Sequence, residues 1–345
     1  MDAVEALERI AYLLDRAREP SYRVRAYLRA AEAIRALPAE EVAERAQAGT
    51  LTELKDVGPK TAAVVEEVLS GKVPPYIASL EERTGVSVGE GAEILAALRG
   101  DCHTHSLWSD GGAPIGTMAR AARALGHEYV VLTDHSPRLT VANGLSPERL
   151  RAQLDEVAKT NEELAAEAEA GEPPFRILTG IEVDILDDGS LDQTDELLGR
   201  LDLVVASVHS KLRMDAEGMT RRMAVAVANP HVDVLGHCTG RIVVGRGRPE
   251  STFDPELVFH ACAKYDTAVE VNCRPERLDP PRRLLKLAVE AGCRFSVDTD
   301  AHAPGQLEWQ PYGADRAAAC EVPVDRIVNT RSADDLLAWT ASHAS

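Results

Sequence analysis

The sequence predicts a parallel α/β barrel preceded by a small all-α N-terminal domain. From residue 101 onward, short apolar segments alternate with helical segments, and these apolar segments contain few polar residues. Strands of this kind are typical of parallel sheets that are covered on both faces. Before residue 99, apolar residues recur at spacings of three and four, as in amphipathic helices. The predicted domains are residues 1–98 and 99–345.

Composition limits the class of protein. The 345 residues are 45% hydrophobic and 27% charged, which suffices for a barrel and a small module. The net charge of -18 argues against bulk electrostatic coating of nucleic acid, although it is compatible with a local site. The six cysteines form no CxxC pair, and no apolar run approaches about 18 residues. We therefore expect a cytoplasmic monomer that has no membrane span.

The N-terminal region is predicted to contain helices at 2–19, 22–37 and 38–48, followed by a short helix, a tight turn and another helix. The turn is Val57-Gly58-Pro59-Lys60-Thr61. Exposed backbone N–H groups at a helix N-terminus attract phosphate, and Lys60 adds a positive charge beside them. This pattern makes Lys60 a candidate phosphate-binding residue, while a helical module that binds nothing remains the alternative.

Seven strands and six intervening helices are predicted in the C-terminal region. The strands are 101–105, 128–133, 175–183, 202–208, 232–236, 267–272 and 293–298. The helices are 115–125, 146–169, 190–199, 215–228, 254–265 and 280–291. In a parallel barrel the carboxyl ends of all strands share one rim, which is where active sites of such folds lie.

Most of the predicted strands end in histidine, aspartate or glutamate. The nine candidate metal ligands are His103, His105, Asp110, His135, Glu182, His209, His237, Asp300 and His302. Nine donors are too many for one ion, so we expect two or three divalent ions (Zn, Mn or Fe) with Glu182 as a bridge. Such a cluster indicates phosphoester hydrolysis, with Glu182, Asp300 and His302 as catalytic candidates and Asp300 or His302 as the general acid.

Basic residues near the same rim are candidates for binding the substrate phosphate. They are Lys211, Arg213, Arg241, Arg246, Arg248 and Arg274. Arginine forms bidentate contacts with phosphate oxygens. The alternative is that several of them only balance the acidic rim. Four histidines outside the strand ends are expected to be structural or surface residues: His127, His231, His260 and His343.

Several strand-end motifs resemble those of the PHP (polymerase and histidinol phosphatase) family: His103-Thr104-His105, Thr133-Asp134-His135, Gly180-Ile181-Glu182, Ser207-Val208-His209, Gly236-His237 and Thr299-Asp300-Ala301-His302. The resemblance implies a distorted seven-stranded TIM-like barrel with a trinuclear metal centre that hydrolyses phosphoesters. The segments 237–241 and 270–279 are similar to the PHP domain of bacterial family X DNA polymerases, where this domain acts as a 3′-5′ exonuclease.

Residues 1–98 resemble the N-terminal helix-hairpin-helix domain of the same polymerases, through Tyr22–Tyr27 and Val57–Ala62. Two positions depart from the family pattern. Asp56 replaces the usual glycine, and Val64 lies where the lyase members carry their Schiff-base lysine, so lyase activity is not expected. Residue 98 runs almost directly into His103, which leaves no room for a polymerase palm, so polymerase activity is not expected either.

Two substrate classes follow from these observations. One is the 3′ end of DNA or a nucleotide, which the N-terminal domain favours. The other is a small phosphomonoester such as histidinol phosphate, which the acidic surface favours. An amidohydrolase-type hydrolase fits less well, because the Thr-Asp-His motif and Glu182 depart from that pattern. A non-enzymatic DNA-binding scaffold is disfavoured by the complete set of candidate ligands.

Overall fold

The computed structural model describes residues 1–168, 171 and 173–343, which form two compact units. The first unit is Met1–Val86 and the second begins at Ser87. The division therefore falls before the expected position at residue 98. Residues 87–98 belong to the second unit because Ile94 is buried in the core of the barrel, and the Asp315 carboxylate accepts hydrogen bonds from the backbone N–H groups of Gly89 and Gly91.

The first unit consists of helices, as predicted. They are α1 (Ala3–Arg16), α2 (Ser21–Arg35), α3 (Ala39–Ala48), α4 (Pro59–Leu69) and α5 (Pro75–Thr84), with a 3-10 turn at Leu51–Glu53. Asp2 caps α1 in a reciprocal capping box with Glu5, and Gly49 ends α3 in the left-handed conformation. Apolar faces of these helices form one core, which includes Leu7, Ile10 and Val65.

All seven predicted strands are present, and every adjacent pair is parallel in the order β1 to β7. They are β1 (Gly100–Thr104), β2 (Tyr129–Leu132), β3 (Arg176–Asp184), β4 (Leu203–Ser207), β5 (Val234–Leu235), β6 (Ala268–Asn272) and β7 (Phe295–Asp298). The alternation of strands and helices therefore identified both the number of strands and their parallel arrangement correctly.

The barrel is nearly closed at a seam between β1 and β7. Beyond the end of β1, the His105 N–H donates to the Ala301 carbonyl at 2.8 Å. Along the strands, side chains replace the missing ladder, since the Cys102 N–H donates to Asp298 and the Asn329 amide donates to the carbonyls of Gly100 and Val297. Polar side chains thus bridge β1 and β7, where the two strands do not form a continuous ladder of backbone hydrogen bonds. The barrel is distorted at this seam.

Within the described residues, nine further α-helices belong to the barrel unit. They are α6 (Ala92–Ala97), α7 (Ile115–Ala124), α8 (Pro147–Glu167), α9 (Asp195–Leu198), α10 (Ala216–Val227), α11 (Pro255–Tyr265), α12 (Arg282–Glu290), α13 (Gln310–Ala319) and α14 (Ala333–Ala341). Residue 169, the predicted end of α8, lies outside the described residues. Helices α13 and α14 were not predicted.

Leu336 and Trp339 of α14 pack with Tyr129 and Leu203, the first residues of two strands, so α14 covers the amino-terminal end of the barrel. No helix in the described part of the chain is long and apolar enough to cross a membrane.

Candidate metal centre

The carboxyl ends of the strands bring all nine predicted ligand residues into one cluster. β1 carries His103 and is followed directly by His105, His135 lies just beyond β2, and β3 carries Glu182. The loops after the later strands contribute His209, His237, Asp300 and His302, and Asp110 enters from the loop after β1. Most of these side chains are buried, whereas Asp110 and His302 remain partly accessible at the open side.

Glu182 lies at the centre of the cluster and is 1% exposed. Its Oε2 is 2.8 Å from His135 Nδ1 and 3.4 Å from His103 Nε2, while its Oε1 is 2.9 Å from His237 Nε2 and 3.2 Å from His209 Nε2. Both carboxylate oxygens nevertheless lack a hydrogen bond of acceptable geometry, as do His103 Nε2 and His135 Nδ1. Buried polar atoms without partners are costly, so their convergence indicates that a cation belongs among them.

Among the described residues, seven of the nine form three overlapping sets, in each of which the donor atoms lie within 4.8 Å of one another; His237 and Asp300 belong to none of them. The sets are His105, Asp110, His135 and His302; His103, His105 and Glu182; and His135, Glu182 and His209. Each of His105, His135 and Glu182 belongs to two of the sets, so any ions they hold would be neighbours. A set of imidazole and carboxylate donors without thiolate fits divalent metal ions.

The electrostatics of the cluster keep its carboxylates ionised. Burial alone would raise the pKa of Glu182, but the surrounding His209, His135 and His103 outweigh burial and hold that pKa well below its usual range. Burial likewise acts to raise the pKa of Asp300, and the opposing charges of Arg274 and His103 lower it well below the ordinary value. The carboxylates are therefore already charged, whereas the neighbouring carboxylates outweigh burial and raise the pKa values of His103, His135 and His209, so these imidazoles must release protons to bind a cation.

Polar residues behind the cluster hold the imidazoles and carboxylates in place. Glu270 Oε1 is 2.6 Å from His103 Nδ1, and the other oxygen of Glu270 accepts the His237 N–H at 2.5 Å. The amide of Asn272 donates to Asp300 Oδ2 at 3.1 Å, and Asp184 Oδ1 is 3.3 Å from His209 Nδ1. The sequence offered one signal for Glu270 and Asn272, because they are polar residues inside an otherwise apolar strand. Such partners fix the orientation of ligand side chains.

Of the basic residues predicted to bind phosphate, Arg274 lies against the cluster. Its Nη1 donates to the Asp300 carbonyl at 2.7 Å and lies 2.7 Å from His302 Nδ1. A neighbouring arginine, Arg277, was missed by the sequence reasoning. Its Nε is 3.3 Å from Asp300 Oδ2, and its Nη1 is buried and has no hydrogen-bond partner. Arg277 therefore retains an unsatisfied donor beside the predicted metal ligands.

The other basic candidates lie in different surroundings. Lys211 pairs with Asp187, and Arg213 is exposed. Arg241 donates to the backbone carbonyls of Arg277 and Leu278, so the structure uses it to hold that loop. Lys60 is exposed in the first turn of α4, within the helical unit. The structure leaves phosphate binding by Lys211, Arg213 and Lys60 untested. Arg241 is less suited to that role, because its donors are already hydrogen-bonded within the protein.

Comparison with known proteins completes this description. A parallel barrel whose strand ends carry a buried cluster of histidines and carboxylates defines a metal-binding α/β-barrel protein. A PHP domain model matches residues 101–270 and a helix-hairpin-helix domain model matches residues 1–73. The chain belongs to the PHP family, which confirms the resemblance seen in the strand-end motifs.

Two curated relatives show the extent of the similarity. The chain is 38% identical over 245 residues to the DNA polymerase/3′-5′ exonuclease PolX of Bacillus subtilis, which covers 71% of this chain and 41% of the polymerase. It thus spans about two fifths of that relative. It is 31% identical over 222 residues to a probable phosphatase of Thermoanaerobacter, which covers 59% of this chain and 78% of the relative. A histidinol phosphate phosphatase structure from Lactococcus lactis, complexed with zinc, L-histidinol and phosphate, is 18% identical with a TM-score of 0.44 and covers 64% and 92% of the two chains.

Proposed function

We propose that this protein is a metal-dependent phosphoesterase whose nine clustered residues hold two or three ions of Zn, Mn or Fe. The observation that carries the proposal is the set of buried, unpartnered atoms around Glu182. Three overlapping donor sets support more than one ion. When bound, such ions supply positive charge to a phosphate and its leaving oxygen, and they lower the pKa of water.

The chain itself supplies phosphate binding beside these ligands. The Nη1 donor of Arg277 is suited to a phosphate oxygen, because a buried guanidinium N–H with an unmade hydrogen bond gains most from an anionic acceptor. Arg274 instead holds His302 and the backbone of Asp300, so we assign it to positioning. The accessible edge at Asp110 and His302 is where we place substrate entry.

Of the two residues considered as general acid, Asp300 is poorly suited. Its pKa is held well below the ordinary value despite burial, mainly by Arg274 and His103, so it carries no proton to donate. We therefore propose that Asp300 acts as a ligand alone. His302 at the open edge is the remaining candidate for the proton donor, a role that it fills only while its Nε2 is not bound to an ion.

The substrate we propose is the 3′ end of single-stranded DNA, or a nucleotide. Support comes from the helix-hairpin-helix match over residues 1–73 and from the similarity to a relative named as a 3′-5′ exonuclease. A small phosphomonoester is the second candidate, favoured by similarity to a probable phosphatase. The six buried free cysteines favour a reducing compartment, and we propose the cytoplasm.

A substrate panel tests this proposal. Purified protein, loaded separately with Mn and Zn, is incubated with a 5′-labelled single-stranded oligonucleotide and with histidinol phosphate. We expect stepwise shortening of the oligonucleotide from its 3′ end, and loss of this activity in Arg277→Ala. Arg200→Ala, which removes an exposed arginine from the loop after α9, serves as the control. Turnover of histidinol phosphate alone would show that the nucleic-acid substrate is wrong.

A further inference from the structure

The loop after β5 forms a short hairpin next to the metal centre. Ile242 and Arg248 pair as an antiparallel bridge, with N–H to carbonyl distances of 3.0 and 2.8 Å in the two directions. Gly245 and Gly247 adopt positive φ angles of 62° and 65°, which let the chain reverse between them. The hairpin is therefore a built element, and it follows His237, one of the clustered residues, by only a few positions.

The base of this hairpin is fastened to the loop that carries Arg274 and Arg277. The Val243 N–H donates to the Glu276 carbonyl at 2.7 Å, and Arg241 Nε donates to the Arg277 carbonyl at 2.9 Å. Arg248 Nε donates to the Gly240 carbonyl at 2.5 Å. Two of the three arginines of the hairpin are thus used to fix its base.

The exposed side chains between the paired residues Ile242 and Arg248 differ in character from the arginines that fix the hairpin. Val243 and Val244 are 49% and 39% exposed, and Arg246 is exposed between two glycines. No acidic residue occurs from Gly240 to Pro249, although the whole chain carries a net charge of -18. Exposed apolar side chains do not favour solubility, and on a protein of net negative charge a positively charged segment with exposed valines is typical of a binding surface.

We propose that Val243, Val244 and Arg246 form a contact for a single-stranded nucleic acid on its way to the metal centre. Such a strand presents both apolar base faces and phosphates, so it matches adjacent valines and an unengaged arginine. This proposal rests on the proposed function and specifies where the strand is held. An acidic peptide would match the arginine, but it offers nothing for the valines.

Binding of a short strand to the full-length protein tests the proposal. The probe is a fluorescent six-nucleotide phosphorothioate strand, which resists hydrolysis, and the readout is anisotropy at several salt concentrations. We expect Val243→Ser with Val244→Ser to weaken binding at least about fivefold, and Arg246→Ala to reduce the salt slope by about one. The matched controls are Val225→Ser, at a valine 47% exposed on α10, and Arg221→Ala on the same helix.

Each outcome of this experiment bears on the proposal. Unchanged affinity in the hairpin variants, or an equal loss in the α10 controls, would overturn it, as would an absence of binding by the unmodified protein. Measurement in a Lys60→Glu background removes the candidate phosphate contact of the helical unit, and the effect of the hairpin variants must persist there. Competition by a polyglutamate peptide as effective as unlabelled strand would also overturn it. If the strand binds through the hairpin yet is never cut when its linkages are ordinary phosphodiesters, the proposed function fails and the hairpin contact stands.

Discussion

Glu182 in the barrel and Asp15 in the helical unit are both carboxylates withdrawn from water, yet their surroundings act on them in opposite ways. Burial raises the pKa of Asp15 from 3.8 to about 7. Burial acts in the same direction on Glu182, but His209, His135 and His103 reverse it and hold that pKa well below the usual range. One region accepts a carboxylate by favouring its neutral form, whereas the other surrounds it so that it stays charged.

This difference separates a structural site from a functional one. A buried charge costs stability unless opposite charges surround it. Around Glu182 the compensating groups are imidazoles, several with a buried nitrogen that lacks a hydrogen-bond partner. Imidazoles that compensate a carboxylate can also bind a metal ion with it, so the barrel maintains an arrangement that is complete only with cations. The core of the helical unit, in contrast, is built from apolar helix faces.

Glu182→Gln is expected to have the largest effect, because it removes a buried charge that belongs to two of the three donor sets. We expect loss of bound metal and a fall in phosphoesterase kcat of about 1000-fold or more, since the centre would lose both its charge and a shared ligand. Metal content by mass spectrometry and steady-state kinetics measure the two effects. Glu250→Gln, at a partly buried rim glutamate that pairs with Arg241 and Arg283, is the control. Full metal content in Glu182→Gln would show that Glu182 is not central.

Asp110→Ala is expected to have a smaller effect, because Asp110 belongs to one donor set and is 38% exposed. We expect loss of about one ion and about 100-fold lower activity, with the remaining sets intact. Asp187→Ala is a matched control, since Asp187 is 37% exposed on the same rim and pairs with Lys211. Asp110→Ala protein with unchanged metal content and turnover would exclude Asp110 as a ligand.

The barrel and its rim could be predicted because both depend on patterns of neighbouring residues in the sequence. Each strand is a short apolar run, and the residues that follow, such as Asp134-His135 and Asp300-Ala301-His302, are polar at positions that a parallel fold brings together. The number of strands followed from counting these runs. Even β5, only Val234–Leu235 by its hydrogen bonds, was found because Val232, Val234 and Leu235 form a short apolar segment before Gly236-His237.

The features that were missed depend on contacts between distant parts of the chain. Asn329 fills the seam between β1 and β7 from more than two hundred residues after Gly100, and no local pattern marks it for that role. Arg277 was overlooked because its neighbour Arg274 looks equivalent in sequence, while only the fold shows which of them has an unused donor. The first compact unit ends at Val86 rather than at the predicted residue 98, because the packing of Ile94 on the barrel cannot be read from the composition of 87–98.

Asp15→Asn gives the smallest expected effect and tests the other side of the comparison. The native helical unit keeps Asp15 protonated up to about pH 7, whereas the unfolded chain releases this proton near pH 4. The native state therefore binds one more proton between these values, and the stability of the unit falls as pH rises from about 4 to about 7. Asparagine cannot ionise, so the variant and the original protein should be equally stable at pH 4. At pH 8 the variant should be more stable by on the order of 2 kcal/mol, a reduced value because Asp15 keeps some contact with water.

Hydrogen exchange of the α1 amides measures this difference in stability, with Glu44→Gln as an exposed control in the same unit. If Asp15→Asn leaves the pH dependence unchanged, Asp15 is ionised in the native unit, and the contrast with Glu182 would no longer hold.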